Sequence, residues 1–224
     1  MNILFDLDGT LTDPKEGIVA SIEYALASLG HSGQANENLE RFIGPPLRNA
    51  FSELLDTKNL TVINAAVELY RERFRELGMY ENRVYDGIPR ALERLCRSGS
   101  RLFVATSKPQ VFAERILEHF DLARSFDGVY GCGLDGTLSD KAELIAHILA
   151  AEQLRQTDTV MVGDRHHDAC GAIANGLAPV GVLWGYGTHA ELMQAGVCRF
   201  LRHPDELALV YLRQRSGTGG RYGR

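Results

Sequence analysis

The stretch NILFDLDGTLTD, residues 2–13, decides the fold of this chain. Its first four residues form a short apolar run, which predicts a buried strand. Asp6 and Asp8 follow at the carboxyl end of that strand, and Gly9 gives the next turn its conformational freedom. The stretch therefore predicts two carboxylates at the tip of a buried strand, where a site can form.

Beyond residue 85 the sequence alternates between predicted strands and helices. The strands are expected at 101–106, near 126–130, at 159–163 and at 179–184. Such alternation is typical of parallel β-α-β units with helices on both faces of the sheet. We therefore predict an α/β fold with a doubly wound, Rossmann-like core. Because open parallel sheets bind ligands beyond the carboxyl ends of their strands, we expect the site residues there.

A helical pattern fills the region between the first strand and the alternating part. Apolar residues recur at helical spacing, and turn residues such as Gly44-Pro45-Pro46 separate the helices. We expect a small all-helical cap domain over 14–81, inserted into a core domain formed by 1–13 and 82–215. The Gly-rich, basic end of the chain, 216–224, is expected to be disordered.

Composition limits the possible partners. The 224 residues are 45% hydrophobic and carry a formal net charge of -5, so the basic footprint of a protein that binds nucleic acid polymers is missing. No apolar run approaches the roughly 20 residues that span a membrane, and acids stand near the N-terminus where a signal peptide would be basic. We expect a cytoplasmic protein with a small-molecule partner, as a monomer or homodimer. Its four well-separated cysteines are expected to be reduced and mostly buried.

The octapeptide DLDGTLTD at 6–13 recurs almost unchanged as GLDGTLSD at 133–140. The second copy has Gly133 at the position of Asp6 and so lacks one carboxylate of the pair. Asp135-Gly136 predicts a turn, and Ser139 or Asp140 is suited to cap the following helix. We therefore expect chemistry from the first copy alone.

Four segments carry a family resemblance. FDLDGTLTD at 5–13, ATSKP at 105–109, Lys141 at a helix start and VGDRHHD at 162–168 resemble, in order and spacing, the motifs of the haloacid dehalogenase superfamily of phosphatases. The position of the insertion and FIGPPLRNAF at 42–51 resemble its members with a helical cap, the phosphoglycolate phosphatases and related 5'-nucleotidases. The resemblance implies a magnesium-dependent phosphatase of a small phosphorylated metabolite, of the phosphoglycolate or nucleoside 5'-monophosphate class.

The resemblance also assigns roles to the acids. Asp6 is the implied nucleophile, which forms an aspartyl phosphate, and Asp8 is the implied general acid and base. A like charge two residues away favours a raised pKa at Asp8, which suits proton transfer. Asp6, the backbone carbonyl of Asp8, and Asp164 are the implied ligands of Mg²⁺, which prefers oxygen donors.

Further residues are expected around the phosphoryl group. The resemblance places Thr106, the backbone N–H of Ser107 and Lys141 on the phosphoryl oxygens. A positive charge is unfavourable at the N-terminus of a helix, so Lys141 is expected to have a partner that offsets this cost. Asp168 lies one helical turn beyond Asp164 and is expected to hold a water of the metal ion.

Substrate contacts are expected from both domains. Lys108 follows the predicted phosphate-binding residues and could reach a substrate anion, the cap or the surface. Gly44 and Arg48 on the predicted cap loop are candidates for contact with the leaving group. His166 and His167 match no ligand position of the family and are expected to be solvated loop residues.

Two alternative functions remain open from the sequence. A sugar-phosphate mutase of the same superfamily would also use the Asp pair. A phospho-acceptor module that does not turn over would also present an Asp at a strand tip, although the helical insertion argues against it. The superfamily's dehalogenases lack the second acid, so Asp8 argues against that activity.

Overall fold

The structure is a computed structural model that describes residues 1–31 and 38–212. The predicted disordered segment 216–224 and the last residues of the predicted core, 213–215, lie outside the described residues. Within the described ranges, no helix has the length and apolar character needed to cross a membrane.

The regular elements follow the predicted alternation. The strands are β1 (Asn2–Phe5), β2 (Thr12–Asp13), β3 (Arg83–Val84), β4 (Arg101–Pro109), β5 (Gly128–Cys132), β6 (Thr159–Gly163), β7 (Ala178–Val182) and β8 (Phe200–Leu201). The helices are α1 (Lys15–Ser28), α2 (Leu47–Leu54), α3 (Leu60–Arg73), α4 (Ile88–Arg97), α5 (Gln110–His119), α6 (Lys141–Ala151), α7 (His166–Ala174), α8 (His189–Gln194) and α9 (Leu207–Leu212). A π-helical turn, Phe74–Gly78, continues α3.

Six strands form one parallel sheet in the order β5-β4-β1-β6-β7-β8. The chain starts at the centre, builds outward to β5 on one side and then to β8 on the other, so the doubly wound fold is confirmed. Phe5, the last residue of β1, lies opposite Val104 of β4 and Val162 of β6. The segments that follow these three strands therefore emerge together at one edge of the sheet.

Strand β1 is buried on both faces. Ile3 and Phe5 belong to a hydrophobic cluster that includes residues of α4 and α5, and Leu4 belongs to a second cluster with residues of α6 and α7. Helices on both faces explain why the strand is a continuous apolar run rather than an alternating pattern.

The inserted unit is helical, as predicted. Helix α1 packs against α3, and α2 also packs against α3. Strand β2 pairs antiparallel with β3, so the chain leaves the core and returns to it through a two-stranded ribbon. We propose the cap boundaries 14–81 on this ground. The ribbon was not predicted, because strands of two residues leave no periodicity in the sequence.

Some details differ from the sequence predictions. Strand β4 extends three residues beyond the predicted 101–106, with an irregular register between Thr106 and Pro109. The predicted strand at 179–184 is found at Ala178–Val182. The four cysteines are free, but the prediction that most are buried is wrong, since only Cys132 is buried.

Candidate active site

The carboxyl ends of β1, β4 and β6 bring polar side chains to one edge of the sheet, beneath the cap. Asp6, Asp8 and Thr106 are buried there and line a cavity of about 60 Å³. Ser107 and Lys108 line the same cavity. The register of the central strands thus assembles residues that are up to 102 positions apart, from Asp6 to Lys108.

Three buried carboxylates form a compact acidic cluster. Asp6, Asp164 and Asp168 each offer one ligand atom, and these atoms all lie within 4.8 Å of one another. Burial raises the pKa of Asp164 well above its usual value, and the charges of Asp168 and Asp6 raise it further. Burial also raises the pKa of Asp168 to about 6, although Lys141 opposes the shift. Carboxylates held together away from water favour a bound cation, and the all-oxygen donor set fits Mg²⁺.

Asp164 is held by the segments around it. The backbone N–H of Tyr186 donates to its Oδ2 at 2.8 Å, and the Thr10 hydroxyl lies 3.5 Å from its Oδ1. Gly9 has a φ of +84°, and a Cβ atom at this position would overlap the Asp164 carboxylate. The first motif and the fourth, VGDRHHD, therefore approach closely only because residue 9 is glycine. Neither Thr10 nor Tyr186 was predicted as a site residue.

Lys141 links the first motif to the fourth. Its Nζ lies 2.9 Å from Asp6 Oδ1 and 2.8 Å from Asp168 Oδ1, and it donates to the Ala105 carbonyl at 2.9 Å. Burial by itself lowers the pKa of Lys141, but Asp168 and Asp6 raise it above its usual value. A lysine at a helix start was expected to have a compensating partner, and Asp6 and Asp168 are these partners. Asp140 caps α6 by accepting two backbone N–H groups, which confirms its predicted role.

Lys108 is buried and paired with Asp8. Its Nζ lies 2.8 Å from Asp8 Oδ2, and the two side chains are 6% and 9% exposed. The same ammonium lies 4.4 Å from the centre of the Phe74 ring of the cap. Burial raises the pKa of Asp8. The positive charge of Lys108 partly opposes this rise, and the negative charge of Asp6 adds to it. Asp8 Oδ1 is buried without a hydrogen-bond partner among the described residues, which leaves it free for a bound substrate.

The predicted phosphate-binding segment, at the end of β4, is tied to the second octapeptide. The Ser107 hydroxyl donates to the Ser139 carbonyl at 3.4 Å, and Cys132 Sγ donates to the Ser107 carbonyl at 3.0 Å. Thr106 Oγ1 accepts the backbone N–H of Lys108 at 3.2 Å. The irregular register of β4 falls in this segment and redirects the backbone, as bulges commonly do beside sites.

Aromatic side chains line the cavity opposite the acids. Tyr70 and Phe74 of the cap are stacked with ring centres 5.3 Å apart, and Phe112 of α5 meets Phe74 edge-on at 5.6 Å. Phe42 lines the same cavity. Burial raises the pKa of Tyr70, and the charge of Asp8 raises it further. The sequence identified Tyr70 and Phe74 only as apolar residues at helical spacing, which gives no sign that they face a site.

The structure separates the two residues predicted on the cap loop. Gly44 lines the active-site cavity, whereas Arg48 lines a neighbouring cavity. Arg48 Nη1 donates to the Asp135 carbonyl at 3.1 Å, and its Nε donates to Asn64 Oδ1 at 3.2 Å. The cap therefore rests on the second octapeptide through Arg48.

The second octapeptide and the histidine pair lie outside the acidic cluster. The Asp135 carboxylate accepts the backbone N–H and the hydroxyl of Thr137, which confirms the predicted turn. The expectation that His166 and His167 are solvated loop residues is wrong, since both lie in the first turn of α7 and are partly buried. His166 Nδ1 lies 2.7 Å from Glu191 Oε1. In the described part of the chain, neither Asp135 nor His166 belongs to the group of carboxylates suited to a metal ion.

Comparison with known proteins gives consistent matches. The family model described as haloacid dehalogenase-like hydrolase matches residues 3–182. A 5'-nucleotidase from Pseudomonas aeruginosa is 52% identical over 191 residues, which cover 85% of this chain and 86% of that protein. The tyrosine-protein kinase PtkA from Mycobacterium tuberculosis is 39% identical over 186 residues, 83% of this chain and 62% of that protein. A crystal structure described as a predicted phosphatase from Clostridium acetobutylicum has a TM-score of 0.89 and 42% identity, and the match covers 94% of this chain and 97% of that one.

Proposed function

Since this chain belongs to the haloacid dehalogenase-like hydrolase family and is one of its phosphatases, we propose that it is a Mg²⁺-dependent hydrolase of nucleoside 5'-monophosphates. The proposed reaction proceeds through an aspartyl phosphate on Asp6. The observation that carries this proposal is the acidic cluster of Asp6, Asp164 and Asp168, with Lys141 in contact with two of its members.

The acidic cluster supports the metal. Asp6, Asp164 and the backbone carbonyl of Asp8 would hold Mg²⁺, with Asp168 beside them. When bound, the ion neutralises the phosphoryl group and the nucleophile, whose negative charges otherwise repel each other. Lys141 Nζ lies 2.9 Å from Asp6 Oδ1, which helps to keep the nucleophile in one orientation.

The proton transfers fall to Asp8. In the first step an Asp6 oxygen bonds to phosphorus, the bond from phosphorus to the leaving oxygen breaks, and protonated Asp8 gives its proton to that oxygen. In the second step Asp8 takes a proton from water as the water attacks phosphorus, which releases phosphate and restores the Asp6 carboxylate. Thr106, the N–H of Ser107 and Lys141 would stabilise the phosphoryl oxygens throughout.

The lining of the cavity favours a nucleoside leaving group over glycolate. Phe42, Tyr70 and Phe74 make the cap side of the cavity apolar, which suits the uncharged part of a nucleoside better than a carboxylate. The carboxylate of phosphoglycolate would need a cation, and Lys108, which lines the cavity, is already paired with Asp8. The 52% identity with a 5'-nucleotidase agrees with this choice.

A panel of phosphomonoesters tests the proposal. Phosphate release is measured for nucleoside 5'-monophosphates, phosphoglycolate and sugar phosphates, with Mg²⁺ and with EDTA. We expect continuous release, fastest for the nucleotides, that EDTA abolishes and added Mg²⁺ restores. Release that ends after one equivalent would identify a phospho-acceptor, a bisphosphate product would identify a mutase, and undiminished release in EDTA would exclude the metal.

A further inference from the structure

A second cavity, of about 180 Å³, lies beside the active-site cavity and is called the side cavity below. Pro46, Leu47, Ser107 and Pro109 line both cavities, so the two share a wall between the cap loop and the phosphate-binding segment. The active-site cavity is the smaller one, at about 60 Å³. A leaving group that exceeds this space has room to extend past the shared wall into the side cavity.

Two arginines of the cap line the side cavity, and other residues fix both guanidinium groups. Arg48 donates to Asn64 and to the Asp135 carbonyl. Arg71 Nη1 donates to Glu68 Oε1 at 2.9 Å, and its Nη2 donates to the Leu134 carbonyl at 2.8 Å. Each guanidinium has five N–H groups in a rigid fork. These contacts therefore orient the group and leave other N–H donors available to a ligand.

Arg71 has a donor that the protein does not use. Its side chain is 14% exposed, and its Nε is buried without a hydrogen-bond partner among the described residues. A buried N–H group is costly to leave unpaired, and Arg71 lines the side cavity, so an acceptor that enters the cavity would meet a guanidinium that the protein has not fully satisfied.

The rest of the wall also favours acceptors. Asn49 and Ser139 add polar groups, and no carboxylate side chain is among the described residues that line the side cavity. A ligand with oxygen acceptors would therefore meet donors in the wall, and the Glu68 carboxylate, which is bound to Arg71 Nη1, is not part of the lining. Charge-assisted bonds from arginine are the stronger kind, and they fit a carboxylate, a phosphate or a carbonyl oxygen.

We propose that the side cavity is the subsite for the far end of the leaving group, and that Arg71 recognises acceptor oxygens there. This inference rests on the proposed phosphatase function and extends it to a residue of α3 that the sequence did not single out. The shared chemistry is an oxygen acceptor, which either a carboxylate or a base carbonyl can supply. Arg71 acts on specificity and takes no part in the chemical step.

Two matched pairs of substrates distinguish a carboxylate acceptor from a base carbonyl acceptor. Phenyl phosphate and 4-carboxyphenyl phosphate differ by a distal carboxylate, and ribose 5-phosphate and uridine 5'-monophosphate differ by a base with carbonyl oxygens. The ratio of kcat/KM within each pair is measured for the wild type, for Arg71→Met and for Arg75→Met. Arg75 is an exposed arginine of the cap that lines neither cavity, so its variant is the control.

We expect the wild type to prefer the acceptor-bearing member of at least one pair. Arg71→Met should reduce that ratio by about 10- to 100-fold, the loss expected for one hydrogen bond from a charged donor. Phenyl phosphate and ribose 5-phosphate should lose less than about threefold, and Arg75→Met should keep both ratios. If Arg71 recognises a carboxylate, the kcat/KM ratio of the phenyl phosphate pair falls in Arg71→Met. If it recognises a base carbonyl, the ratio of the ribose 5-phosphate pair falls.

Other results would overturn the inference. If Arg71 only holds the cap against the second octapeptide, all four substrates lose activity in equal proportion and both ratios stay constant. Should Arg71→Met fail to fold, Arg71→Lys keeps the charge and the stem but lacks the Nε donor, and an unchanged ratio in that variant would contradict the assignment. A wild type that hydrolyses none of the four substrates would instead refute the proposed function.

Discussion

Lys108 Nζ lies 2.8 Å from Asp8 Oδ2 at the buried centre of the site. The same ammonium lies 4.4 Å from the centre of the Phe74 ring, so one side chain contacts both the proposed acid of the core and the aromatic wall of the cap. A lysine in this position orients Asp8 and, as a neighbouring positive charge, opposes the rise in its pKa.

Replacement of Lys108 by methionine should therefore reduce turnover through Asp8. We expect kcat to fall by roughly 10- to 100-fold, less than the 10²- to 10⁴-fold typical of general acid-base catalysis as a whole. Because Lys108 lowers the pKa of Asp8, its removal should move the limb of the pH-rate profile that reports Asp8 to higher pH. The profile of kcat/KM against pH measures this shift. Lys58→Met, at an exposed lysine of the cap, is the control and should leave the profile unchanged.

We predict that residue 9 must be glycine because a side chain there would displace Asp164, and not only because the turn needs a left-handed backbone. Gly9 has a φ of +84° and Gly99 has a φ of +76°, but a Cβ atom would overlap Asp164 at position 9 and meet nothing within 4 Å at position 99. Both alanine variants should lose about 1–2 kcal/mol of stability from the left-handed backbone. Only Gly9→Ala should displace Asp164, and we expect its Mg²⁺ requirement for half-maximal activity to rise about tenfold or more. Equal Mg²⁺ requirements in the two variants would contradict the proposed role of Asp164.

Glu191 should give the folded protein part of its resistance to acid. Burial by itself raises the pKa of Glu191, but bonds from His166 and Arg165 outweigh it and lower the pKa to about 2, below the usual 4.5. A carboxyl whose pKa is lowered on folding stabilises the protein above the unfolded value and loses this effect as the pH falls toward the folded value. The difference in free energy of unfolding between the wild type and Glu191→Gln should thus be largest above about pH 4.5 and shrink toward pH 2. Urea unfolding at pH 6 and pH 3 measures it, and a difference that does not change with pH would show that Glu191 acts through packing.

Local patterns in the sequence were sufficient for the central part of the fold. The apolar run NILF predicted β1 with its bounds, because both faces of that strand are buried. Lys141 and Asp164 could be placed at the site because each begins or follows a regular element whose end is marked in the sequence. Their assigned roles came from the family resemblance and remain proposals.

The remaining features depend on contacts that a linear pattern does not record. The pairing of Lys108 with Asp8 follows from the irregular end of β4. The sequence alone does not distinguish whether Lys108 contacts a substrate, the cap or solvent. The position of Arg48 depends on how α2 sits against the second octapeptide, which turns Arg48 toward the side cavity. Tyr70 carries the helical signal of any core residue, although it lines the active-site cavity.

The second octapeptide should serve structure rather than catalysis. The Asp135 carboxylate is bonded to Thr137 within its own turn, and the groups that meet the cap are the backbone carbonyls of Leu134 and Asp135. Asp135→Asn keeps these carbonyls, so we expect kcat to stay within about threefold of the wild type, less than about 0.7 kcal/mol of barrier. A larger loss in the steady-state rate of phosphate release would give this copy a part in the reaction.

The central claim is that Asp6 is the nucleophile, and the rate of phosphate release by Asp6→Asn tests it most directly. The amide has the shape of the carboxylate but forms no acyl phosphate, so turnover with Mg²⁺ should fall below about one per cent of the wild type. Asp135→Asn makes the same change in the second octapeptide and is the control, which should stay near the wild-type rate. An Asp6→Asn protein that unfolds cooperatively like the wild type and still releases phosphate at more than about one per cent of its rate would contradict the account.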